Sequence, residues 1–470
     1  MKKNLDLTEG SIPRALLTLS IPIIFANILQ TAYQLTDTFW VGRLGTEAVA
    51  AVSLSFPIIF LLISLGAGFA LAGTILVAQY KGKKDQGRID HIATQTIILV
   101  VFLSILFAIA GYLMTDPILT LMGAEKAIFA DAESYLRISF WGIIFLFGYF
   151  VFQSLMRGIG EVRTPLYIVT GTVLLNLFLD PMFILGFGPI PAYGVSGAAI
   201  ATVSTQGLAT VVGFSILFSG RYGIHIRPEN FRIDLGVMKK MLALGIPASI
   251  QQSTRALNFL VMTILVASFG TLAVASYGIG FRVLSFIIIP ALGLMMANST
   301  LVGQNMGANK IERAVKTSFF SAIFAFVGLT VVGIVLFIFA HQIAAAFLPG
   351  ETEVIEASAL FIRIMALSFG FLGIQRVLGG TLQGAGSPMT AMALSLTTSW
   401  VFNFPLAYVL SKHTSLGMAG IWWSFPISNV LGALITYIVY ARGTWKNKRL
   451  TEDTDLGTEV ARETAIEDNL

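Results

Sequence analysis

The sequence predicts an all-α integral membrane protein: twelve transmembrane helices in two six-helix lobes related by a pseudo-two-fold axis along the membrane normal. Three observations predict it. Of 470 residues, 56% are hydrophobic and only 12% are charged, whereas roughly 25% of a soluble domain is charged. Apolar runs long enough to cross a hydrocarbon core, about 20 residues each, recur at 14–40, 48–72, 93–115, 133–155, 164–188, 194–218, 239–265, 273–297, 315–340, 358–380, 388–410 and 416–441. The second half also repeats the first. "LTLSIP" from Leu17 matches "LALGIP" from Leu242, and "LVAQYKGKKDQGR" from Leu76 matches "LVGQNMGANKIER" from Leu301, both 225 residues later. An even number of spans separates the copies, so they share one orientation, and parallel repeats of this kind are a transporter architecture with the substrate path between the halves.

Span 1 follows a basic tip, Lys2 and Lys3, which raises the question of a cleaved leader. The run is span-length and no small-residue cleavage pattern follows it, so a retained helix is expected. Asn27, Gln30, Gln34 and Asp37 are spaced three, four and three apart and share one helical face, with Tyr33 one turn before the acid. Such a face cannot point at lipid. Pro22 deletes a backbone hydrogen bond inside the span and favours a kink there; its repeat mate is Pro247, so a packing role common to both halves is the competing reading.

Spans 2 to 6 place further polar groups at a matching depth. Span 2 leads into a basic loop with Lys81, Lys83, Lys84 and Arg88, and span 4 begins near Tyr135. "RGIGEVRTP" after span 4 and "QGAGSP" after span 10 resemble phosphate loops only superficially, since no strand precedes them, and read as tight turns before Pro165 and Pro388. Span 5 carries Thr172, Asn176 and Asp180, four apart, and span 6 carries Thr202 followed by Thr205 and Gln206. At 1.5 Å per residue, Asp37, Asp180, Thr202 and Tyr135 fall in the same outer half of the membrane.

The second half lacks this acid pair. Met262 stands in span 7 where the repeat has Asp37, no aspartate occurs between Asp234 and Asp453, and Glu312, Glu351, Glu353 and Glu356 are expected in loops. Cations occur there instead: Arg255 on a stripe with Gln252 and Asn258, Arg282 on span 8 and Arg376 on span 10. If the carboxylates merely stabilised the fold, each half should need them. They are better read as an ion-coupling site confined to the first lobe, taking H⁺ or Na⁺. Two readings of these arginines stand: they pair with backbone carbonyls or snorkel, or at least Arg255 faces the central cavity and favours substrates with an anionic or strongly polarisable group. Asn27, Gln30, Tyr33, Gln34, Gln252, Asn258 and Met262 complete the candidate cavity lining.

The expected organisation is a lobe over 1–220, a linker over 221–240, a lobe over 241–445 and a disordered polar tail over 446–470. Basic residues concentrate in alternate loops, which places both termini in the cytoplasm. Although the net charge is +5, the basic residues form no single patch, so nucleic acid is not an expected partner. There is no cysteine and the four histidines have no metal-ligand spacing, so no metal or cofactor is expected. No HExxH, GxSxG or Walker pattern occurs, and an enzyme is not expected.

"SIPIIFANILQTAYQLTDTFWVGRLG", "RGIGEVRTP", "LLNLFLDP" in span 5 and "GVSGAAIAT" opening span 6 together resemble the multidrug and toxic compound extrusion (MATE) transporters over about 10–445. Within that family the chain is similar to the DinF-like branch, whose coupling acids lie in the N-terminal lobe. The resemblance implies that Asp37 and Asp180 are coupling carboxylates, that Asn176, Tyr135 and Thr202 join them, and that span 1 bends at Pro22. It implies cation-driven antiport of amphipathic, often cationic, organic compounds across a prokaryotic plasma membrane by a V-shaped pair of lobes. A monomer is expected. The chain departs from branches that place acids in the C-terminal lobe, whose mechanisms do not transfer. Two rival expectations are Na⁺ rather than H⁺ coupling and a flippase for a lipid-linked precursor.

Overall fold

The computed structural model describes residues 6–448 and 450–451. The first lobe contains α1 (Ile12–Gly42), α2 (Thr46–Lys83), α3 (Gln86–Leu121), α4 (Lys126–Gly158), α5 (Arg163–Leu185) and α6 (Val195–Phe218). The second contains α7 (Leu235–Ala267), α8 (Thr271–Gly307), α9 (Ile311–Ile338), a short α10 (Ala340–Phe347), α11 (Thr352–Ala366), α12 (Phe369–Gly384), α13 (Pro388–Leu396), α14 (Phe404–Lys412) and α15 (Met418–Arg442). Helices satisfy every internal backbone group without water, which is why a lipid-embedded chain of this composition adopts them.

Among the described residues ten helical spans are long and apolar enough to cross a membrane, with α11 and α12, bent by 51°, forming an eleventh together. The twelfth crossing is α7, whose Gln251, Gln252 and Arg255 dilute its apolar character. Two predicted spans are therefore not uniform helices. Span 10 is the bent α11–α12 pair, and span 11 runs from α13 through a π-helical stretch, Thr397–Asn403, into α14. Side chains support the widened turn: Asn258 Nδ2 donates to the Ser399 carbonyl at 3.2 Å and Gln375 Nε2 to Thr398 Oγ1 at 2.8 Å. Such π stretches often mark functional sites.

Several expectations change. Helix α7 begins at Leu235, inside the expected 221–240 linker, because Asp234 caps it by accepting from the Val237 amide at 3.1 Å. Glu312 lies in the first turn of α9, and Glu353 and Glu356 in α11, rather than in loops. Arg282, placed on span 8 by the sequence, is exposed on α8 and lines neither cavity at the lobe interface. Of the expected tail, Leu450 is buried in the first-lobe core, close to Gly386, while 452–470, like Lys2 and Lys3, lie outside the described residues.

Helices α1 and α2 reach across to α8, and α2 also packs on α7. At the end of the bundle where α2 and α8 finish, the lobes close by a reciprocal device. Gln79 Nε2 donates to the Gly384 carbonyl at 3.0 Å, and its repeat mate Gln304 donates to the Gly158 carbonyl at 2.9 Å. Gly82 and Gly307, also repeat mates, let the backbones touch: a Cβ on Gly82 would overlap the Gln304 carbonyl, and one on Gly307 the Gln79 carbonyl. The segment before α1 seals the same end, with Lys310 donating to the Thr8 carbonyl at 3.1 Å and Arg313 to the Glu9 carbonyl at 2.8 Å.

Candidate functional site: two cavities at the lobe interface

The first-lobe cavity, about 350 Å³, is lined along α1 by Asn27, Gln30, Tyr33, Gln34 and Asp37. Tyr135 from α4 and Thr202 from α6 complete its far end. The sequence spacing works as expected because α1 runs unbroken from Ile12 to Gly42, through Pro22. Thr202 Oγ1 donates to Asp37 Oδ2 at 3.2 Å. Tyr33 Oη and Thr205 Oγ1 are 2.6 Å apart; Thr205 directs its own proton to backbone carbonyls of α6, so Tyr33 is the donor.

Behind Asp37, and fully buried, are Asn176 and Asp180 of α5. Asn176 Nδ2 donates to Asp180 Oδ1 at 2.7 Å, one helical turn apart. The Asp37 and Asp180 carboxyl groups neighbour each other with Asn176 beside them, and Tyr135 lies within electrostatic range of the pair. Asp37 Oδ1, Asp180 Oδ2 and Asn176 Oδ1 are buried acceptors with no donor. An unsatisfied buried polar atom costs about 1–3 kcal/mol, and two ionised carboxylates in one low-dielectric pocket repel. A proton shared by the acids, or a monovalent cation among the three oxygens, relieves both penalties. Among the described residues no group of three or more His, Cys, Asp and Glu side chains could hold a metal ion.

The second-lobe cavity, about 420 Å³, is lined by Arg255, Asn258, Arg376, Gln375, Asn403 and the rings of Phe259, Tyr277 and Phe281, among others. It abuts the first cavity, sharing Gln251, Gln252, Met295 and Gln383 as walls. Gln383 Nε2 donates to Gln251 Oε1 at 2.7 Å, so one amide pair separates the two spaces. Met262 is a correction to the expected lining. It is fully buried in the apolar core of the second lobe with Leu265, Tyr277, Phe361 and Trp422, and it faces neither cavity. The thioether fills space that a carboxylate could occupy only at a large desolvation cost.

The glutamine pairs at the lobe interface were not among the sequence candidates. Their signal was present: "LVAQYKG" and "LVGQNMG" keep a glutamine at the same place in both halves, inside apolar runs.

Comparison with known proteins places this geometry in a family. The MatE family model matches residues 22–182 and 247–409, one segment in each lobe. The chain is 30% identical over 457 residues to the probable multidrug resistance protein YoeA of Bacillus subtilis (strain 168), covering 94% of this chain and 96% of that protein. It is 27% identical over 459 residues to a protein named FAD transporter from Shewanella oneidensis, covering 97% and 100% respectively. A crystal structure of a MATE protein in complex with MaL6 superposes with a TM-score of 0.90 at 25% identity, covering 96% of this chain and all of that one.

Proposed function

The chain belongs to the MatE family of multidrug efflux transporters, a multi-pass membrane protein and not an enzyme, and from its paired carboxylates we propose that it is a proton-coupled antiporter of amphipathic organic compounds. The observation that carries this is the convergence of Asp37 on α1 and Asp180 on α5 in one buried pocket, with an orphaned oxygen on each. Asp37 opens on the cavity; Asp180 lies behind it. A proton arriving through the cavity bridges the acids, removes their repulsion and draws α1 toward α5. Asn27, Gln30, Tyr33 and Gln34 ride on the same face of α1, so protonation reshapes the substrate wall. A ligand moves a conformational equilibrium only by its differential affinity for the two states, and a shared helix supplies that difference. Pro22 leaves the Thr18 carbonyl without its intrahelical donor, which makes this stretch of α1 the easiest to bend.

The end closed by Gln79 and Gln304 is assigned to the cytoplasm by the loop charges, so the conformation described is shut on the cytoplasmic side of a prokaryotic plasma membrane. Each chain holds a complete set of these groups and acts as a monomer. The likeness to a protein named FAD transporter supports a cargo range not confined to cations. The three orphaned oxygens favour one second reading, Na⁺ in place of H⁺, since oxygen ligands suit a hard cation.

Proteoliposomes loaded with a pH-sensitive dye separate the two. Substrate added outside should move protons in a sodium-free buffer, and Asp37→Asn should abolish the movement. Proton movement unchanged by Asp37→Asn overturns the carboxylate site; transport that follows only an imposed Na⁺ gradient replaces H⁺ by Na⁺.

A further inference from the structure

The second cavity contains two guanidinium groups and no carboxylate. Arg255 and Arg376 both line it, and they lie within electrostatic range of each other. A guanidinium does not give up its charge in a protein. Two like charges lining one cavity repel each other, and both side chains are partly withdrawn from solvent. The neutral acceptors offer little. Gln252 Oε1 takes one bond from Arg255 Nη1 at 2.5 Å, Arg255 Nε is buried without a partner, and among the described residues Arg376 has no hydrogen-bond partner. Every carboxylate of this lobe lies elsewhere, at the starts of α9 and α11. The arrangement is built for a negative charge that arrives from outside the protein.

The wall beside the arginines adds the second half of the specification. Phe259 and Phe281 have ring centroids 4.3 Å apart, and Tyr277 lies 6.0 Å from Phe259 and 5.8 Å from Phe281. Tyr277 in turn stacks on the buried Trp422 at an interplanar angle of 6°, which fixes the ring orientation. Phe259 and Phe281 line the cavity, while Tyr277, itself buried, backs them. A volume of about 420 Å³ is in the range of small-molecule pockets and accommodates one fused-ring compound. The π-helical stretch lines the same cavity through Thr398, Ser399 and Asn403.

We propose that the second-lobe cavity binds an aromatic organic anion, its carboxylate, sulfonate or phosphate held by Arg255 and Arg376 and its ring packed against Phe259 and Phe281. This rests on the exporter reading and names its substrate class. The lobes then divide the labour: the first binds the driving cation and the second the acid group of the cargo. The cavities share Gln251, Gln252, Met295 and Gln383 as walls, so occupants of the two spaces act on a common partition.

The test uses 1-pyrenesulfonate and 1-pyrenemethylammonium, which share one ring system and differ in the sign of their charge. Each is titrated by fluorescence into the full chain in neutral-lipid nanodiscs, with empty nanodiscs as reference and no ion gradient. The wild type should bind the sulfonate at least tenfold more tightly than the ammonium. Arg255→Gln and Arg376→Gln should each weaken sulfonate binding at least fivefold with under twofold change for the ammonium, and the double variant should erase the preference. Arg255→Lys with Arg376→Lys should keep most of it, which shows that charge and not folding is read. Equal affinity of the wild type for both probes at every chloride concentration means that the arginines only hold a small counter-ion, and overturns the proposal. A parallel loss of both probes in the Gln variants overturns it too. Because binding needs no gradient, a failure here with Asp37-dependent proton movement intact removes the anion site alone. The reverse pattern removes only the coupling reading.

Discussion

The two lobes descend from one repeated pattern and differ in a way that sorts their residues by task. What closes them against each other is kept in both copies: Gln79 and Gln304 donate to equivalent glycine carbonyls, and Gly82 and Gly307 give both backbones the same close approach. What lines the cavities is not kept. Asp37, Gln30 and Tyr33 of α1 stand where α7 has Met262, Arg255 and Asn258. The first cavity is lined by Asp37, with Asp180 behind it, and by Arg157 and Glu161, whereas the second is lined by two guanidiniums and no carboxylate. Symmetry is retained where two surfaces must fit each other, and abandoned where each surface meets a different ligand.

The comparison breaks most visibly at the acids. Asp37→Asn and Asp180→Asn should each lower coupled transport in proteoliposomes by about a hundredfold or more, with the protein still folded by thermal unfolding in detergent. The mirror experiment, Met262→Asp, should fail to create a second coupling site. An acid placed in that apolar core should lower stability by about 3 kcal/mol or more, read as a drop in unfolding temperature and in the yield of monodisperse protein.

The shared closure can be sharpened in the same way. Gly307→Val drives a side chain into the Gln79 backbone, and transport should fall roughly tenfold because the closed state is denied. A cysteine introduced at Thr8, buried in the segment that seals this end, should react faster with a maleimide in that variant, and the chain has no other cysteine to interfere. Removing only the hydrogen bonds is milder. Gln79→Ala with Gln304→Ala gives up about 1 kcal/mol per bond, which should open the closed end by a comparable amount, read as faster labelling of the Thr8→Cys reporter, with the two changes nearly additive.

The smallest effect is expected outside both cavities. Asp234 caps α7 and sits 2.9 Å from His91. Its carboxyl is held below the usual aspartate range: burial opposes the shift, and hydrogen bonds from the Val237 amide and His91 with the imidazolium charge outweigh it. A lowered folded-state pKa adds stability above the unfolded value, near 3.9, that fades as pH falls through the folded one. Asp234→Ala should therefore cost about 1 kcal/mol at neutral pH, with the gap from wild type closing in acid unfolding experiments.

Much of the first lobe's site was legible because its signals are local. Polar residues three and four apart in an apolar run can share only one face, so the α1 stripe and the Asn176–Asp180 pair followed from spacing. Helix rise then put Asp37, Asp180, Tyr135 and Thr202 at one depth, where the structure brings them together. The same argument misled at Met262, since equivalence in a repeat fixes a place along a helix and not what that place faces.

Composition, run length and the 225-residue repeat determined that this chain is a membrane-embedded helical protein in two equivalent lobes, because hydrocarbon admits few solutions for the backbone and identical patterns fold alike. Only the tertiary structure decided which oxygens are left without donors, that the arginines look into a space with no acid, and that α11–α12 bends while α13 and α14 are joined by a π turn. Those properties depend on what neighbouring helices present to each side chain, and that is set by packing between segments distant in sequence.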